Sequence, residues 1–312
     1  MHAVILERNK LVARKVARLF MSTGATALAV EDPALVAPSL EKADLLCADA
    51  FDADLVAEQL RSHPSLRAVL WTAEPLRRSM KYLIESTAID HVLGRKDFES
   101  TPRAWEVVMV ARRLAGRSSP LAGATPPLAA YLDWGATSVE LTVRSTTDRD
   151  AAVARIQEFV GALSVPKRIS EMFAELGHEL IMNAIYDAPI DALGRPKYAG
   201  DRKADVVLDE AEQPIVKLGT DGTRLVLQVR DPFGRLERKH VVEGLARGLA
   251  GGEMDQTHGG AGLGMMVCHN ASSAMLFDVA RGRHTEVTAM FELDMNLREF
   301  RTHAKSLHFW SH

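Results

Sequence analysis

Short apolar runs alternate with stretches of helical periodicity through the first part of the chain. Residues 3–6, 27–30, 44–48 (DLLCA), 67–71 (RAVLW) and 91–93 read as five strands. Residues 9–22 predict a helix with Leu11, Val12, Val16, Leu19 and Phe20 on one side and a stop at Gly24. Residues 54–62 and 103–114 predict two more helices. Near-continuous apolar strands alternating with helices predict βαβ units and a parallel sheet covered on both faces. In such sheets chemistry sits at the carboxyl ends of the strands.

The rhythm disappears over AGRSSPLAGATPPLAA, residues 115–130, where Gly, Ser and Pro concentrate. A first domain over residues 1–116 and a linker over 117–130 follow. Beyond it the order of elements changes. Residues 139–144 (VELTVR) alternate as a strand, 148–163 are helical, and 168–188 form a long helix. Strands are predicted at 204–208, 214–218 and 223–229, the last two joined at Asp221-Gly222, a strong hairpin signal. Helices at 238–249 and 265–274 flank a glycine-rich loop, and strands at 274–279 and 286–293 follow. Helices on a mixed, partly antiparallel sheet predict an α/β sandwich over residues 131–296, leaving a tail at 297–312.

Composition adds exclusions. Of 312 residues, 47% are hydrophobic, enough for two domains with sizeable cores. A net charge of -3 gives no global case for nucleic acid or an anionic membrane as partner. No apolar run approaches the roughly 20 residues of a membrane-spanning helix, and the start, MHAVILERNK, is unlike a signal peptide. Cys47 and Cys268 stand far apart in apolar surroundings, as buried reduced thiols of a cytoplasmic protein would.

Four segments of the second half carry candidate chemistry. In GHELIMNAIYDA, residues 177–188, Glu179, Asn183 and Asp187 recur at i, i+4 and i+8 and share a helix face. An amide oxygen there suits Mg²⁺, and a carboxylate one turn away suits a general base. LVLQVRDPFGRL, residues 225–236, ends a strand in Asp231, an acceptor for an exocyclic amine, with Gly234 allowing close approach of a ring. Gly259-Gly260-Ala261-Gly262-Leu263-Gly264 leads into a helix and offers backbone N–H groups to an anion. It is neither a P-loop, which needs Lys and Ser/Thr where Met265 and Met266 stand, nor a Rossmann fingerprint. Finally, Gly282-Arg283-His284-Thr285 opens the last strand with a hydroxyl. Taken singly, each segment is equally a solvated helix face, a turn or a loop.

Their order, Glu-x-x-x-Asn-Ala, Asp-x-x-Gly, Gly-x-Gly-Leu-Gly, Gly-x-x-Thr, resembles the N, G1 and G2 boxes and final Thr strand of the GHKL superfamily. That superfamily includes gyrase-type topoisomerases, MutL, histidine kinases and anti-sigma-factor serine kinases. The resemblance implies a GHKL α/β sandwich that binds ATP and Mg²⁺. Glu179 would be the general base and Asn183 the Mg²⁺ ligand. Asp231 and Gly234 would meet adenine, supported by Thr285. Gly260, Gly262, Leu263 and Gly264 would form the lid hinge and phosphate cradle, with Tyr186 and Asp187 as phosphate- or sugar-side contacts. Arg235 replaces the usual second glycine of the G1 box, and residues 189–203 are longer than the pattern expects. The strand–helix start is closest to anti-sigma-type serine kinases, which act on a partner protein and pair as homodimers. An ATPase or serine/threonine-type kinase is therefore implied, with a non-catalytic nucleotide-binding scaffold as the alternative.

The first half resembles response-regulator receiver domains, which implies a flavodoxin-like (βα)5 fold. Asp49 would be the phosphoacceptor, Glu7 the remnant of the acidic pair, and Thr72 the hydroxyl after the fourth strand. Arg95-Lys96-Asp97-Phe98 stands where the Lys-Pro turn belongs. A working receiver and a docking module that is never phosphorylated both fit. In the tail, Phe300, Leu307, Phe309 and Trp310 would dock on the protein itself or on a partner, and His303, His308 and His312 lack metal-ligand spacing.

Overall fold

The computed structural model describes residues 1–116, 125–250 and 261–312. They divide into two compact units, Met1–Ala124 with Thr302–His308, and Thr125–Arg301 with Phe309–His312.

The first unit is a parallel sheet of β1 (His2–Leu6), β2 (Thr26–Val30), β3 (Leu45–Asp49), β4 (Arg67–Thr72) and β5 (Ile89–Gly94), in the order β2-β1-β3-β4-β5. That order is flavodoxin-like. Helices α1 (Lys10–Met21), α2 (Val36–Ser39), α3 (Ala53–Ser62), α4 (Leu76–Glu85) and α5 (Ala104–Ala115) connect and follow the strands. Asn9 caps α1 by accepting from the N–H groups of Leu11 and Val12. The buried stripe of α1 is Val12, Ala13, Val16, Ala17 and Phe20. Leu11, expected on it, is 76% exposed, because it stands in the first turn on the opposite side.

The second unit contains α6 (Thr146–Gly161), α7 (Lys167–Met182), α8 (Arg238–Ala250) and α9 (Ala261–Asn270). Its strands are β6 (Thr137–Thr142), β7 (Ile215–Thr220), β8 (Arg224–Asp231), β9 (Ala274–Ala280) and β10 (His284–Glu292). Every pairing in the order β9-β10-β8-β7-β6 is antiparallel, where a mixed sheet was expected. The β7–β8 hairpin turns at Asp221-Gly222, where Gly222 has φ +87° and Asp221 accepts from the N–H groups of Thr223 and Arg224. Residues 204–208 are not a strand. Val207 makes one isolated bridge to Ser145 and is exposed, while Val206 and Leu208 are buried, so the alternation reflects packing of an irregular segment rather than a ladder. At the end of the segment expected as a linker, a 3-10 turn at Leu128–Tyr131 buries Leu128 and Tyr131, and Leu128 lies against Gly219. Both cysteines are free and buried, and burial pushes both thiols up. Among the described residues, no helix is long and apolar enough to cross a membrane.

Residues 297–312 are built into the fold rather than trailing from it. In α10 (Leu297–Thr302), Phe300 packs on Phe291 of the second unit, ring centroids 4.4 Å apart. The strand β11 (Ser306–Ser311) begins in the first unit, where Leu307 and His308 pair antiparallel with Val92 and His91. A Cβ on Gly94 would strike the carbonyl of Ala304, and the Gly94 N–H donates to Ser306 Oγ at 2.8 Å. Phe309 belongs to the second unit and stacks on Phe277 at 5.2 Å.

The first unit's C-terminal residues also hold a buried carboxylate. His308 Nε2 lies 2.6 Å from Glu106 Oε1, both side chains fully buried, with Arg103 3.6 Å from Oε2. Burial works to raise the Glu106 carboxyl, but His308, Arg103 and Ser306 hold it below its ordinary value. A carboxyl held lower when folded adds stability above its unfolded pKa, about 4.3. That stability is lost as pH falls through the folded value. His308→Ala should therefore cost about 3–5 kcal/mol at pH 7, and the deficit should shrink as acid protonates Glu106. Urea denaturation at pH 7 and pH 4 measures both; an unchanged midpoint at pH 7 would contradict the assignment.

Candidate functional site

In the second unit, sheet and helix converge on a cavity of about 370 Å³. The β8–β10 register places Thr285 opposite Asp231 and Val287 opposite Val229. The two-residue pleat turns all four side chains to one face, and all four line the cavity. Across from them, Leu180, Asn183, Ala184 and Asp187 line it at helical spacing. Asn183–Asp187 form a π-helical turn at the end of α7, closed by the Ala188 N–H on the Asn183 carbonyl at 3.0 Å. Such single wide turns concentrate at functional sites. The size lies within the roughly 300–1,000 Å³ of ligand pockets.

Asp231 is buried at the floor. One carboxylate oxygen, Oδ1, accepts from the Phe233 N–H at 2.9 Å and the Gly234 N–H at 3.4 Å, and Thr285 also hydrogen-bonds the carboxylate. Burial pushes the carboxyl above its ordinary value, and these donors oppose the rise. Among the described residues all of these donors are neutral, so the carboxylate keeps acceptor capacity. Gly234 makes the turn feasible: its φ is +66°, and a Cβ would run into the Ala280 carbonyl.

Asn183 and Asp187 are bridged by a residue that sequence reading did not single out. Arg202 Nη2 donates to Asn183 Oδ1 at 2.8 Å and to Asp187 Oδ2 at 3.0 Å. Burial raises the Asp187 carboxyl; Arg202 pulls it back, and Glu179 adds to the rise. The only sequence signal was the extra length of residues 189–203, which also supply Pro196 and Ala199 to the cavity wall. Arg235 lines the cavity and donates to the Ala188 carbonyl at 3.4 Å. His240, Glu243 and Arg247, three or four residues apart on α8, line it too.

The remaining candidates are placed unevenly. Glu179 does not line the cavity but meets Gly264, where a Cβ would collide with the Glu179 carboxylate. Gly262, Leu263 and Gly264 stand in the first turn of α9 rather than in a loop, and Leu263 is 49% exposed. Gly260 lies outside the described residues. Tyr186 is buried and gives its hydroxyl to the Ala204 carbonyl at 2.7 Å, not to the cavity.

In the first unit, Glu7, Asp49, Thr72 and Arg95 gather at the carboxyl ends of β1, β3, β4 and β5. Arg95, 2% exposed, donates to Glu7 Oε2 at 3.0 Å and to Asp49 Oδ2 at 2.6 Å. The other oxygens are engaged as well: Glu7 Oε1 accepts from the Asn9 N–H, and Asp49 Oδ1 from the Phe51 N–H. Trp71 Nε1 donates to Glu7, and Thr72 Oγ1 accepts from the Glu74 N–H. The nearby Asp52 is held by both terminal nitrogens of Arg8. Among the described residues no cluster of three His, Cys, Asp or Glu could hold a metal ion. As they stand, these carboxylates do not fit Mg²⁺: a guanidinium already occupies the space between them.

No protein-family model and no curated protein matches the chain. Solved structures match its flavodoxin-like part. A pilus assembly-related protein of Burkholderia pseudomallei is 17% identical, with TM-score 0.31, over 38% of this chain and 90% of that one. A response regulator from Thermotoga maritima is 13% identical, with TM-score 0.31, over 36% and 95%. A response regulator receiver domain protein from Clostridium thermocellum is 12% identical, with TM-score 0.32, over 38% and 98%. The fold assignment of the first unit rests on its own strand order and parallel register.

Burial pushes the Asp49 carboxyl up, with the Phe51 N–H and Arg95 opposing. A carboxyl whose pKa is higher folded than unfolded adds stability below its unfolded value, about 3.9, and loses it as pH climbs through the folded value. Arg95→Ala removes the opposing cation. It should cost about 3–5 kcal/mol at pH 7.5, and the deficit should narrow toward pH 4.5 as Asp49 takes up a proton. Denaturant titrations at the two pH values check this; an equal deficit at both would count against Arg95 as the compensating charge.

Proposed function

We propose that the protein is a signalling protein whose second unit binds ATP in the cavity over Asp231, with the first unit acting as a receiver-like docking module. One observation carries the reading. A desolvated carboxylate with only neutral donors sits on the floor of a ligand-sized cavity, opposite Thr285 and beneath the Asn183–Asp187 face. A carboxylate acceptor in a dry pocket suits a flat heterocycle bearing an amine, and adenine is such a group. The apolar side chains Val229, Leu180 and Val287 suit its faces. Arg235, His240 and Arg247 offer cationic or titratable donors for phosphates. The ordered boxes of the GHKL resemblance support the same assignment.

For the first unit, the Arg95 bridge supports docking without phosphorylation. Phosphoryl transfer to Asp49 would require Arg95 to release the Asp49 oxygen it holds.

A second, catalytic reading draws support from Glu179. The absence of a side chain at Gly264 leaves its carboxylate room at the start of α9, where a general base of an ATPase or protein kinase would stand. Mg²⁺, when bound, would supply charge neutralisation on the phosphates. Asn183 Oδ1 is its candidate ligand, but Arg202 now holds that oxygen, so the donors do not fit the metal as they stand. A partner signalling protein and a homodimer belong to this reading. Phosphate release or transfer that disappears in Glu179→Gln would favour it.

Base selectivity tests the first reading. ATP should bind at least about tenfold more tightly than inosine triphosphate, which carries a carbonyl in place of the amine. Asp231→Asn should remove most of that preference while keeping an oxygen acceptor for the turn. Isothermal titration of the full chain measures it. Equal affinity for the two nucleotides would contradict the role of Asp231.

A further inference from the structure

We infer that Arg202 stands in for the divalent cation, so that the second unit takes ATP as the free polyanion, without Mg²⁺. The inference rests on the nucleotide reading and specifies the chemical form of the ligand. The two oxygens best suited to a hard cation at the cavity wall are Asn183 Oδ1 and Asp187 Oδ2. One guanidinium nitrogen already bridges them, at 2.8 and 3.0 Å. A guanidinium is always charged and presents five donors in a fixed fork. With Nη2 spent on the two side chains, the group brings a permanent positive charge to the place where a metal would bring its own. A divalent ion would have to displace it and then share the site with a like charge.

The arginine is positioned rather than draped there. Its side chain is 16% exposed. Two residues on, the Ala204 carbonyl accepts the Tyr186 hydroxyl, and Tyr186 belongs to the same π turn as Asn183 and Asp187. The turn that presents the two oxygens thus also fixes the segment that delivers the cation. Earlier in that segment, Asp191 accepts from the N–H groups of Leu193 and Arg195, and Lys197 pairs with Glu212 at 2.9 Å. Arg202 acts from behind Asn183 and Asp187, which line the cavity, and further charges line it directly. Arg235 and Arg247 line it, and Glu243, 4.0 Å from Arg247, is compensated locally. With Arg202 on Asp187, each of the two acids on the helical walls has an arginine beside it, and Arg235 stands apart as a cation available to a phosphate.

The test is titration of the full chain with ATP in excess EDTA and again in excess Mg²⁺. Wild-type affinity in EDTA should equal or exceed that with Mg²⁺. Arg202→Ala should bind at least about tenfold more weakly in EDTA and regain affinity with Mg²⁺, since Asn183 and Asp187 are then free for the metal. Arg202→Lys, which keeps the charge, should lie between the two. Wild-type binding that falls tenfold or more in EDTA would overturn the inference while leaving the nucleotide reading intact. So would Arg202→Ala binding ATP in EDTA as tightly as wild type. ATP binding under neither condition would overturn both. The wild-type comparison needs no variant, so it decides even if Arg202→Ala fails to fold.

Discussion

A carboxylate withdrawn from water must be compensated, and the buried acids of this protein differ in how that is done. Glu7 and Asp49 share Arg95. Glu106 is held by His308 and Arg103. Each arrangement sets an arginine against the buried charge, which stabilises a geometry but leaves little to offer a ligand. Asp231 is different. Backbone N–H groups and Thr285 hold it without neutralising it, and burial keeps its carboxyl raised. Of the acids that line the cavity, Asp187 is bonded by Arg202 and Glu243 lies 4.0 Å from Arg247, whereas the donors to Asp231 are neutral.

Two arginines play the same part in the two units, Arg95 between Glu7 and Asp49 and Arg202 between Asn183 and Asp187. In both units the cation comes from a distant point in the chain and lands between oxygens that would otherwise repel. An arginine does this permanently, because its charge does not titrate in the accessible pH range. A site neutralised by metal responds to metal concentration; a site neutralised by arginine does not. In the first unit that leaves the edge of the parallel sheet as a fixed surface. In the second it leaves Asn183 and Asp187 on the cavity wall with their oxygens already engaged.

How far the chain could be read depended on whether the information was local. The strands of the first unit were legible because parallel strands are buried on both faces and appear as unbroken apolar runs. The Asp221-Gly222 turn was legible because its demand for positive φ is written in two adjacent residues. Asn183, Asp187, Asp231 and Thr285 were legible as ordered short motifs, and they line one cavity. Arg202 and Arg95 were not assigned these partners, because they lie 15 to 88 residues from the acids and amide they hold. Residues 204–208 have strand-like alternation, yet Val207 is exposed and pairs with a single residue. The tail was open between docking on the protein itself and docking on a partner, because nothing within it reveals that Gly94 lacks a side chain to admit Ala304.

The most direct measurement is a crystal structure of the full chain grown with ATP in the presence of EDTA. The account predicts the adenine amine within hydrogen-bond distance of Asp231, phosphates toward Arg235 and Arg247, and Arg202 still bridging Asn183 and Asp187. ATP bound elsewhere, or a base that leaves Asp231 without a donor, would contradict it.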